Sequence, residues 1–358
     1  MPHFAPPSLS RRWWTASHWP RHSCNGGGLF APWPLDGAGG QGSGLRPGWR
    51  RLLVKKIGKA LVLALAATLT LAAPQAAHAE GKVVLGWGRM FNNDAIGDGH
   101  DRWRTGSYTL SVIRAPSFTG DLPVTMGELL EWRLSTQIVA PANLSAPAPG
   151  DRRYAGMLSV GVHSQSLWQG MELDLGGDLV AIGPMTGVSR VQKWVHNALG
   201  IDEPNTSQQI TDRVIPTVSA ELARPFELGG AVLRPFVAAQ AGVETFARIG
   251  ADVTLGAFGR QSVMVRDGVT GQRYRAAPSV LVPGFSLVAG GDLTRVFDSV
   301  LLPSNGPAPT DTRSRLRAGV HWQGARASAF YGLTWLSEEF QGQGSGQLLG
   351  SLSFNLRF

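Results

Sequence analysis

The segment 186–202 (TGVSRVQKWVHNALGID) is predicted to be a helix that carries a glutamine and a histidine one turn apart. Gln192 and His196 are four residues apart, so their side chains lie one above the other on the helix. Thr186 is a suitable N-cap, and Gly200 stands where a helix commonly ends. An imidazole beside an amide side chain is suited to general base catalysis near neutral pH.

The helix is predicted to be amphipathic, because its aliphatic residues share one face and its charged residues share the other. The aliphatic face comprises Val188, Val191, Val195 and Leu199. We expect this face to be buried, with Gln192 and His196 at its edge. In the alternative interpretation the helix only covers the mouth of a barrel, and His196 is a structural, hydrogen-bonded histidine.

The segment 92–101 (NNDAIGDGHD) is a second candidate site, because it is dense in side-chain oxygens. Glycine-spaced Asp and Asn residues suit calcium, which prefers oxygen ligands. The segment lacks the spacing of an EF-hand, so a turn whose side chains bond their own backbone is an equally open interpretation. Residues 80–358 contain no Gly-x-Ser-x-Gly elbow, and no cysteine or close histidine pair that would predict zinc.

The chain begins with segments that precede the mature protein. A basic region over 50–59 is followed by an apolar run over 60–73 and by a small-x-small pattern at 77–79, which together predict a signal peptide. We therefore divide the chain into an N-terminal extension plus signal peptide, 1–79, and a mature domain, 80–358, that begins at Glu80.

The leader accounts for the basic character of the chain. It holds nine Lys and Arg residues and one acid, so its own net charge is +8. This equals the formal net charge of the whole chain, and the mature domain is therefore close to neutral. This balance does not support nucleic-acid binding. The one cysteine, Cys24, also lies in the leader, so an exported mature chain has no disulfide to stabilise it.

The mature domain shows strand-like alternation throughout, most clearly in its last segment. Leu352, Phe354, Leu356 and the terminal Phe358 alternate with polar residues. A soluble sandwich with the apolar side in its core would show the same alternation, but the terminal aromatic and the signal peptide favour a membrane barrel. We predict a twelve-stranded antiparallel transmembrane barrel with one short helix in an extracellular loop. Its strands lie near 82–92, 105–114, 130–140, 154–165, 170–182, 212–224, 231–242, 246–257, 279–295, 314–323, 326–338 and 347–358.

This strand order brings distant residues to one rim of the barrel. Strand one ends at Asp94, strand two begins at Thr105, and strand five leads into the loop that carries Gln192 and His196. All four residues are therefore expected at the extracellular rim. His163 and His321 fall within strands and are expected to be structural.

Four blocks of the sequence resemble the outer-membrane lipid A 3′-O-deacylases, over about 83–358. The blocks are Asn93-Asp94, DRWRTG at 101–106, GDRRYAG at 150–156, and GPMTG at 183–187 followed by Gln192-x-x-x-His196. The resemblance implies a twelve-stranded barrel whose site lies between its wall and the loop helix. It also implies an esterase that hydrolyses the 3′-linked acyloxyacyl group of lipid A, with lipopolysaccharide as substrate, calcium as cofactor and the outer membrane as location.

The resemblance implies a role for each matching residue. The catalytic set is His196 as the base that activates water, Gln192 as its positioning neighbour, Asp94 and Thr105 as the calcium-associated wall, and Asn93 beside them. Asp202 corresponds to an acid that follows the histidine. The family's lysine in the second outer loop has no counterpart over 141–149. Either another cation such as Arg152 or Arg153 binds the substrate phosphate, or the substrate differs. We expect a monomer. The alternatives are a non-enzymatic channel or scaffold barrel and a phospholipase-like esterase.

Overall fold

The structure is a computed structural model that describes residues 81–356. The extension, the signal peptide, Cys24, the cleavage point before Glu80 and the terminal Phe358 lie outside these residues, and what the sequence predicts for them stays a prediction. No helix in the described part is long and apolar enough to cross a membrane.

Within residues 81–356, twelve long strands form one closed antiparallel sheet, as predicted. Each long strand pairs with the next long strand along the chain, and the first pairs with the last. The sixth and seventh long strands pair with each other across a short strand at Phe226–Leu228 that lies between them in sequence. The long strands are β1 (Val83–Asn93), β2 (Trp103–Ala115), β3 (Leu130–Ala140), β4 (Ala155–Trp168), β5 (Met171–Ile182), β6 (Arg213–Ala223), β8 (Ala231–Ala241), β9 (Glu244–Leu255), β12 (Gly284–Ser299), β13 (Thr312–Gln323), β14 (Ala327–Leu336) and β15 (Gln347–Leu356). The remaining elements are β7 (Phe226–Leu228), β10 (Ser262–Arg266), β11 (Arg273–Pro278), a 3-10 turn (Pro184–Thr186) and helix α1 (Val188–Leu199).

The apolar parity of the strands faces outward, which excludes the soluble sandwich. Phe354 and Leu356 in β15 are more than half exposed, whereas Ser351 and Ser353 are buried. The same inversion runs around the barrel, with aliphatic and aromatic side chains outside and Ser, Thr, Arg and Asp inside. A polar interior with an apolar exterior is the pattern of a barrel that is surrounded by lipid.

A hairpin inside the barrel is the main departure from the predicted strands. The strand expected at 279–295 begins only at Gly284, and β10 and β11 before it form a separate two-stranded sheet. Their apolar side chains pack in one cluster with Met90 and Ile113 on the inner wall. A Cβ atom at Gly86 would lie 2.4 Å from the carbonyl oxygen of Ala276, so glycine at this position lets the hairpin approach β1.

The orientation of α1 corrects the predicted burial of its apolar face. Val191, Trp194 and Leu199 are 62 to 70 % exposed, while the buried residues are Ser189, Gln192 and His196. The prediction was wrong about which face is buried because it assumed that apolar residues point to a protein core. On the outside of a barrel, apolar side chains are stable facing lipid, and the polar edge turns to the wall.

The ends of α1 agree in part with the sequence. The helix ends at Gly200, which has a left-handed φ of 68°, as predicted. The N-cap is Gly187 rather than Thr186, since the chain first makes the 3-10 turn over Pro184–Thr186. The helix lies close to β4, because a Cβ atom on Gly156 would be 2.7 Å from Cβ of Val188.

Candidate active site

Asp94 lies immediately after β1 and is fully buried at the rim that carries α1. Its carboxylate accepts hydrogen bonds from the Arg102 amide (2.7 Å), the Thr105 hydroxyl (3.0 Å) and the Gln347 side-chain amide (3.2 Å). Gln347, the first residue of β15, also donates to the Arg102 carbonyl at 2.6 Å, so it fixes the loop between β1 and β2 against the last strand.

A local irregularity in β2 aims Thr105 at this site. Its pairing with β3 shifts register between Trp103 and Gly106, and Trp103 has a positive φ of 50°. A bulge of this kind at a barrel rim bends the strand and redirects its side chains. The Arg104 and Thr105 side chains are both buried as a result, although alternation alone would place them on opposite faces.

The carboxylate of Asp94 has no cationic partner among the described side chains. Burial raises the pKa of Asp94 to about 7; the Arg102 and Thr105 hydrogen bonds oppose this, and the charges of Asp101 and Asp98 add to it. An acid that is buried without a countercharge is costly in its ionised form, so this position favours either a proton or a bound cation.

Asp101 joins this group to the helix. One carboxylate oxygen of Asp101 contacts the Thr105 hydroxyl, and the other lies 3.0 Å from Nε2 of His196. Asp101 is the main site residue that the sequence interpretation did not select. Its position in the DRWRTG block, four residues before Thr105, was the available signal, but only the fold shows that it reaches the helix.

His196 is buried and is held at both ring nitrogens. Nδ1 lies 2.7 Å from the backbone carbonyl oxygen of Asp202, which can only accept, so Nδ1 carries a proton. Nε2 faces the Asp101 carboxylate and lies 3.5 Å from the side-chain nitrogen of Gln192. A neutral His196 therefore has its lone pair on Nε2, on the side of the Asp101 carboxylate.

Gln192 is oriented by a tyrosine that the sequence interpretation also missed as a site residue. The Tyr154 hydroxyl donates to the Gln192 side-chain oxygen at 2.9 Å, so the amide nitrogen of Gln192 turns to His196. Burial, with a smaller contribution from the charge of Asp101, raises the pKa of Tyr154 well above its usual range. The phenol therefore stays protonated and remains a donor.

The structure thus brings together Asp94, Thr105, Gln192 and His196, as strand order predicted, and it gives the other predicted residues different positions. The Asn93 side chain accepts a hydrogen bond from the Ala95 amide at 2.8 Å and so stabilises the turn. Asp202 reaches His196 through its backbone carbonyl, and its side chain is exposed.

The two arginines that were considered for phosphate binding differ in whether a ligand can reach their guanidinium groups. The Arg152 side chain is completely buried, and Nη1 lies 2.5 Å from Glu339. Arg153 is half-buried, and no hydrogen bond or ion pair joins its side chain to another described residue. Of the two, only Arg153 has a guanidinium that is available to a ligand at the surface.

Comparison with known proteins agrees with this architecture. The model of the family "Outer membrane protein LpxR" matches residues 61–358. The chain belongs to this family. The structure of LpxR from Salmonella typhimurium superimposes with a TM-score of 0.63 at 20 % identity, covering 76 % of this chain and all of that one. The NanC porin and the β domain of the Bordetella autotransporter BrkA match with TM-scores of 0.36 and identities of 6 % and 12 %; they cover 76 % and 78 % of this chain, and 100 % and 99 % of their own. A comparison with curated protein sequences gave no match.

Membership of the LpxR family confirms the resemblance to the lipid A 3′-O-deacylases and, at the coarser level, an outer-membrane lipid A deacylase. The LpxR-like fold of this chain also matches the predicted arrangement, because its one described α-helix packs beside the barrel wall at the rim. The catalytic roles of individual residues rest on geometry alone.

The oxygens around Thr105 fit a calcium ion by their chemistry. No group of three or more His, Cys, Asp or Glu residues within 81–356 is arranged to hold a metal. However, the Thr105 hydroxyl contacts both the Asp94 and the Asp101 carboxylates, and one hydroxyl proton satisfies only one of them. Two carboxylates and a hydroxyl with one shared proton form the kind of oxygen set that calcium prefers.

Proposed function

We propose that this protein hydrolyses the ester of the 3′-linked acyloxyacyl group of lipid A, with His196 as the general base. The observation that carries the proposal is the continuous contact from Asp94 through Thr105 and Asp101 to Nε2 of His196. This contact joins the Asp94 carboxylate, which has no cationic partner among the described side chains, to His196. The proton-accepting Nε2 of His196 faces this acidic group.

The proposed reaction uses a water molecule at Nε2 of His196. The Asp202 carbonyl holds the proton on Nδ1, so Nε2 accepts a proton from the water as its oxygen attacks the ester carbonyl carbon. The Asp101 side chain, which is one-third exposed, moves aside to admit the water and stabilises the imidazolium that His196 becomes. When the bond between the acyl carbon and the sugar oxygen breaks, the imidazolium returns its proton to that oxygen, which leaves as a hydroxyl, and the acyl group departs as a carboxylic acid.

Calcium is proposed as the cofactor, held by Asp94, Asp101 and Thr105. When bound, it supplies positive charge for the oxyanion that forms at the ester carbonyl. The residues of this chain prepare the position: Gln347 and the Arg102 amide hold the Asp94 carboxylate, and the bulge after Trp103 presents the Thr105 hydroxyl.

The exposed face of α1 supports an action on lipid in the outer leaflet. Gln192 and His196 point towards the barrel wall, whereas the exposed apolar residues Val191, Trp194 and Leu199 point away from it. A lipid beside the helix can therefore contact both the apolar face and the site residues. This arrangement fits a site that faces the cell exterior. In the proposed complex, Arg153 contacts the substrate phosphate, since Arg152 is committed to Glu339. The proposed unit is a monomer.

The hairpin argues against the alternative of an open channel. The Gln272 side chain donates to the carbonyl oxygens of Ala318 and Leu333 on the inner wall, and Arg315 donates to those of Gly268 and Val269 at the hairpin tip. The hairpin therefore crosses the lumen and is hydrogen-bonded to several strands of the wall. A phospholipase-like esterase would use the same chemistry, so substrate comparison is needed to separate it from a lipid A deacylase.

The test is mass spectrometry of lipid A and phospholipids after incubation with the purified protein. We expect loss of the 3′-linked acyloxyacyl group, with phospholipids intact. His196→Ala should lower the rate on the order of a hundredfold or more while the barrel still folds. His321→Ala is the matched control, because that histidine stacks on Phe258 inside the lumen, with ring centroids 4.1 Å apart. Full activity of His196→Ala, or cleavage of phospholipids alone, would contradict the proposal.

A further inference from the structure

A cavity of about 200 Å³ lies in the barrel lumen between the rim and the hairpin tip. At the rim end it is lined by Arg104, Glu244 and Glu339, and at the other end by Asp267 and Gly268. The proposed reaction does not use this cavity, so a ligand bound here is independent of the proposed function.

The described residues that line the cavity are rich in guanidinium groups. Six arginines and four acids contribute to it, so the lining has more cations than anions. At the rim end, Arg104, Arg152 and Arg313 share only two carboxylates, Glu244 and Glu339, at distances of 2.5 to 2.9 Å. Arg152 lies behind this group and is not itself part of the lining.

At the opposite end of the cavity several guanidinium groups converge on Asp292, while the buried Asp267 carboxylate there is held by Thr109 and Thr270. Arg315 and Arg317 both pair with Asp292, at 2.9 and 2.6 Å, and Arg248 lies 3.4 Å from it. One carboxylate thus serves three guanidinium groups there, although Arg317 also pairs with Asp252. Local positive charge in a region of low dielectric favours a bound anion.

The strongest indication is a set of buried donors that line the cavity and have no acceptor among the described residues. They are Nε and Nη2 of Arg313, Nη2 of Arg315 and the side-chain nitrogen of Gln137. The Arg315 side chain is only 7 % exposed. Every one of these atoms is a donor. Water would satisfy them only by finding acceptors for its own protons, whereas a tetrahedral oxyanion accepts at several oxygens, and sulfate donates nothing.

We propose that this lumen cavity binds one small inorganic oxyanion, phosphate or sulfate, between Arg313, Arg315 and Gln137. Arginine suits this ligand because its planar donors match two oxygens of a phosphate or sulfate group. A bound oxyanion would neutralise the surplus guanidinium charge and would connect the rim to the hairpin tip.

Equilibrium dialysis of the folded protein in detergent with labelled sulfate, and in parallel with labelled phosphate, tests the proposal. Chloride is held constant and in excess, so general salt effects are the same in every sample. We expect about one bound oxyanion per chain. Arg313→Gln should weaken binding on the order of tenfold or more, because it removes a charged donor. Arg234→Gln is the matched control, because Arg234 is a buried arginine that pairs with Glu172 and Glu221 and does not line the cavity. It should leave binding unchanged.

Two further samples keep the test decisive. If Arg313→Gln does not fold, as judged by heat-dependent mobility on a gel, Gln137→Leu replaces it and should weaken binding severalfold with no change in charge. Excess lipopolysaccharide should not displace the label, because the ligand is a free ion and not a lipid headgroup. The proposal is overturned if no label is retained, if Arg234→Gln loses as much binding as Arg313→Gln, or if lipopolysaccharide removes the label.

Discussion

Two buried carboxylates near the same rim, Asp94 and Glu339, have opposite electrostatic surroundings. Glu339 faces three arginines, and although burial alone would raise its pKa, the charges of Arg104, Arg313 and Arg152 lower it to about 2. Asp94 faces hydrogen-bond donors but no cation, and burial raises its pKa to about 7.

The difference distinguishes a structural acid from a candidate functional one. Glu339 is neutralised within the chain, so it stabilises the rim and leaves little attraction for a ligand. Asp94 keeps a charge that the chain does not neutralise, which costs stability unless something binds. Buried acids of the first kind are common in barrel interiors, and the second kind identifies a candidate site.

Asp94→Asn gives the largest expected effect on this contrast. It should lower deacylase activity on the order of a hundredfold or more, because the proposed calcium ligand is lost, while thermal stability stays equal or rises. Chelator should abolish wild-type activity and calcium should restore it, whereas the variant should stay inactive in excess calcium. A variant that regains full activity with calcium would remove Asp94 from the cation site.

Glu339→Gln should show the reverse pattern. It leaves Arg104 and Arg152 without their shared carboxylate, and an uncompensated buried charge of this kind costs about 3 to 5 kcal/mol. The midpoint of the heat-dependent gel shift should fall markedly. Activity per folded molecule, measured at low temperature, should change little. A larger loss of activity than of stability would place Glu339 in the reaction.

The same pair predicts a pH dependence. Because the pKa of Glu339 in the folded protein is below its ordinary value near 4.5, its stabilisation is fully present above pH 4.5 and is lost as pH falls towards 2. The stability difference between wild type and Glu339→Gln should therefore be constant at neutral pH and shrink over this acidic window. Unfolding curves recorded from pH 7 to 2.5 measure it. A difference that grows on acidification would contradict the assignment.

Tyr154→Phe should have the smallest effect. The variant removes only the hydroxyl that orients the Gln192 amide, at 2.9 Å, and transfers no proton. We expect up to about a tenfold loss in kcat, with the pH profile of activity unchanged because His196 is intact. Gln192→Ala should lose at least as much. If Tyr154→Phe were as inactive as His196→Ala, the tyrosine would have a direct chemical role.

Several features of the site could be predicted from single residues and their spacing. Gln192 and His196 are one turn apart in any helix, and both are buried towards the wall. Strand order alone predicted that Asp94 and Thr105 would meet at one rim, and they are hydrogen-bonded at 3.0 Å. The contacts of Asp101 and Tyr154 depend on how loops fold over the rim, and no local pattern encodes that.

The sequence by itself determined the alternation of the strands and therefore an antiparallel sheet, because a two-residue period survives whatever surrounds the sheet. Only the tertiary structure decided what lies on each side. Periodicity does not distinguish lipid from a protein core, so Val191 and Leu199 on α1 were predicted to be buried although they are exposed. It also does not distinguish a wall strand from the hairpin at 262–278, whose place in the lumen depends on glycines in β1 and on contacts across the barrel.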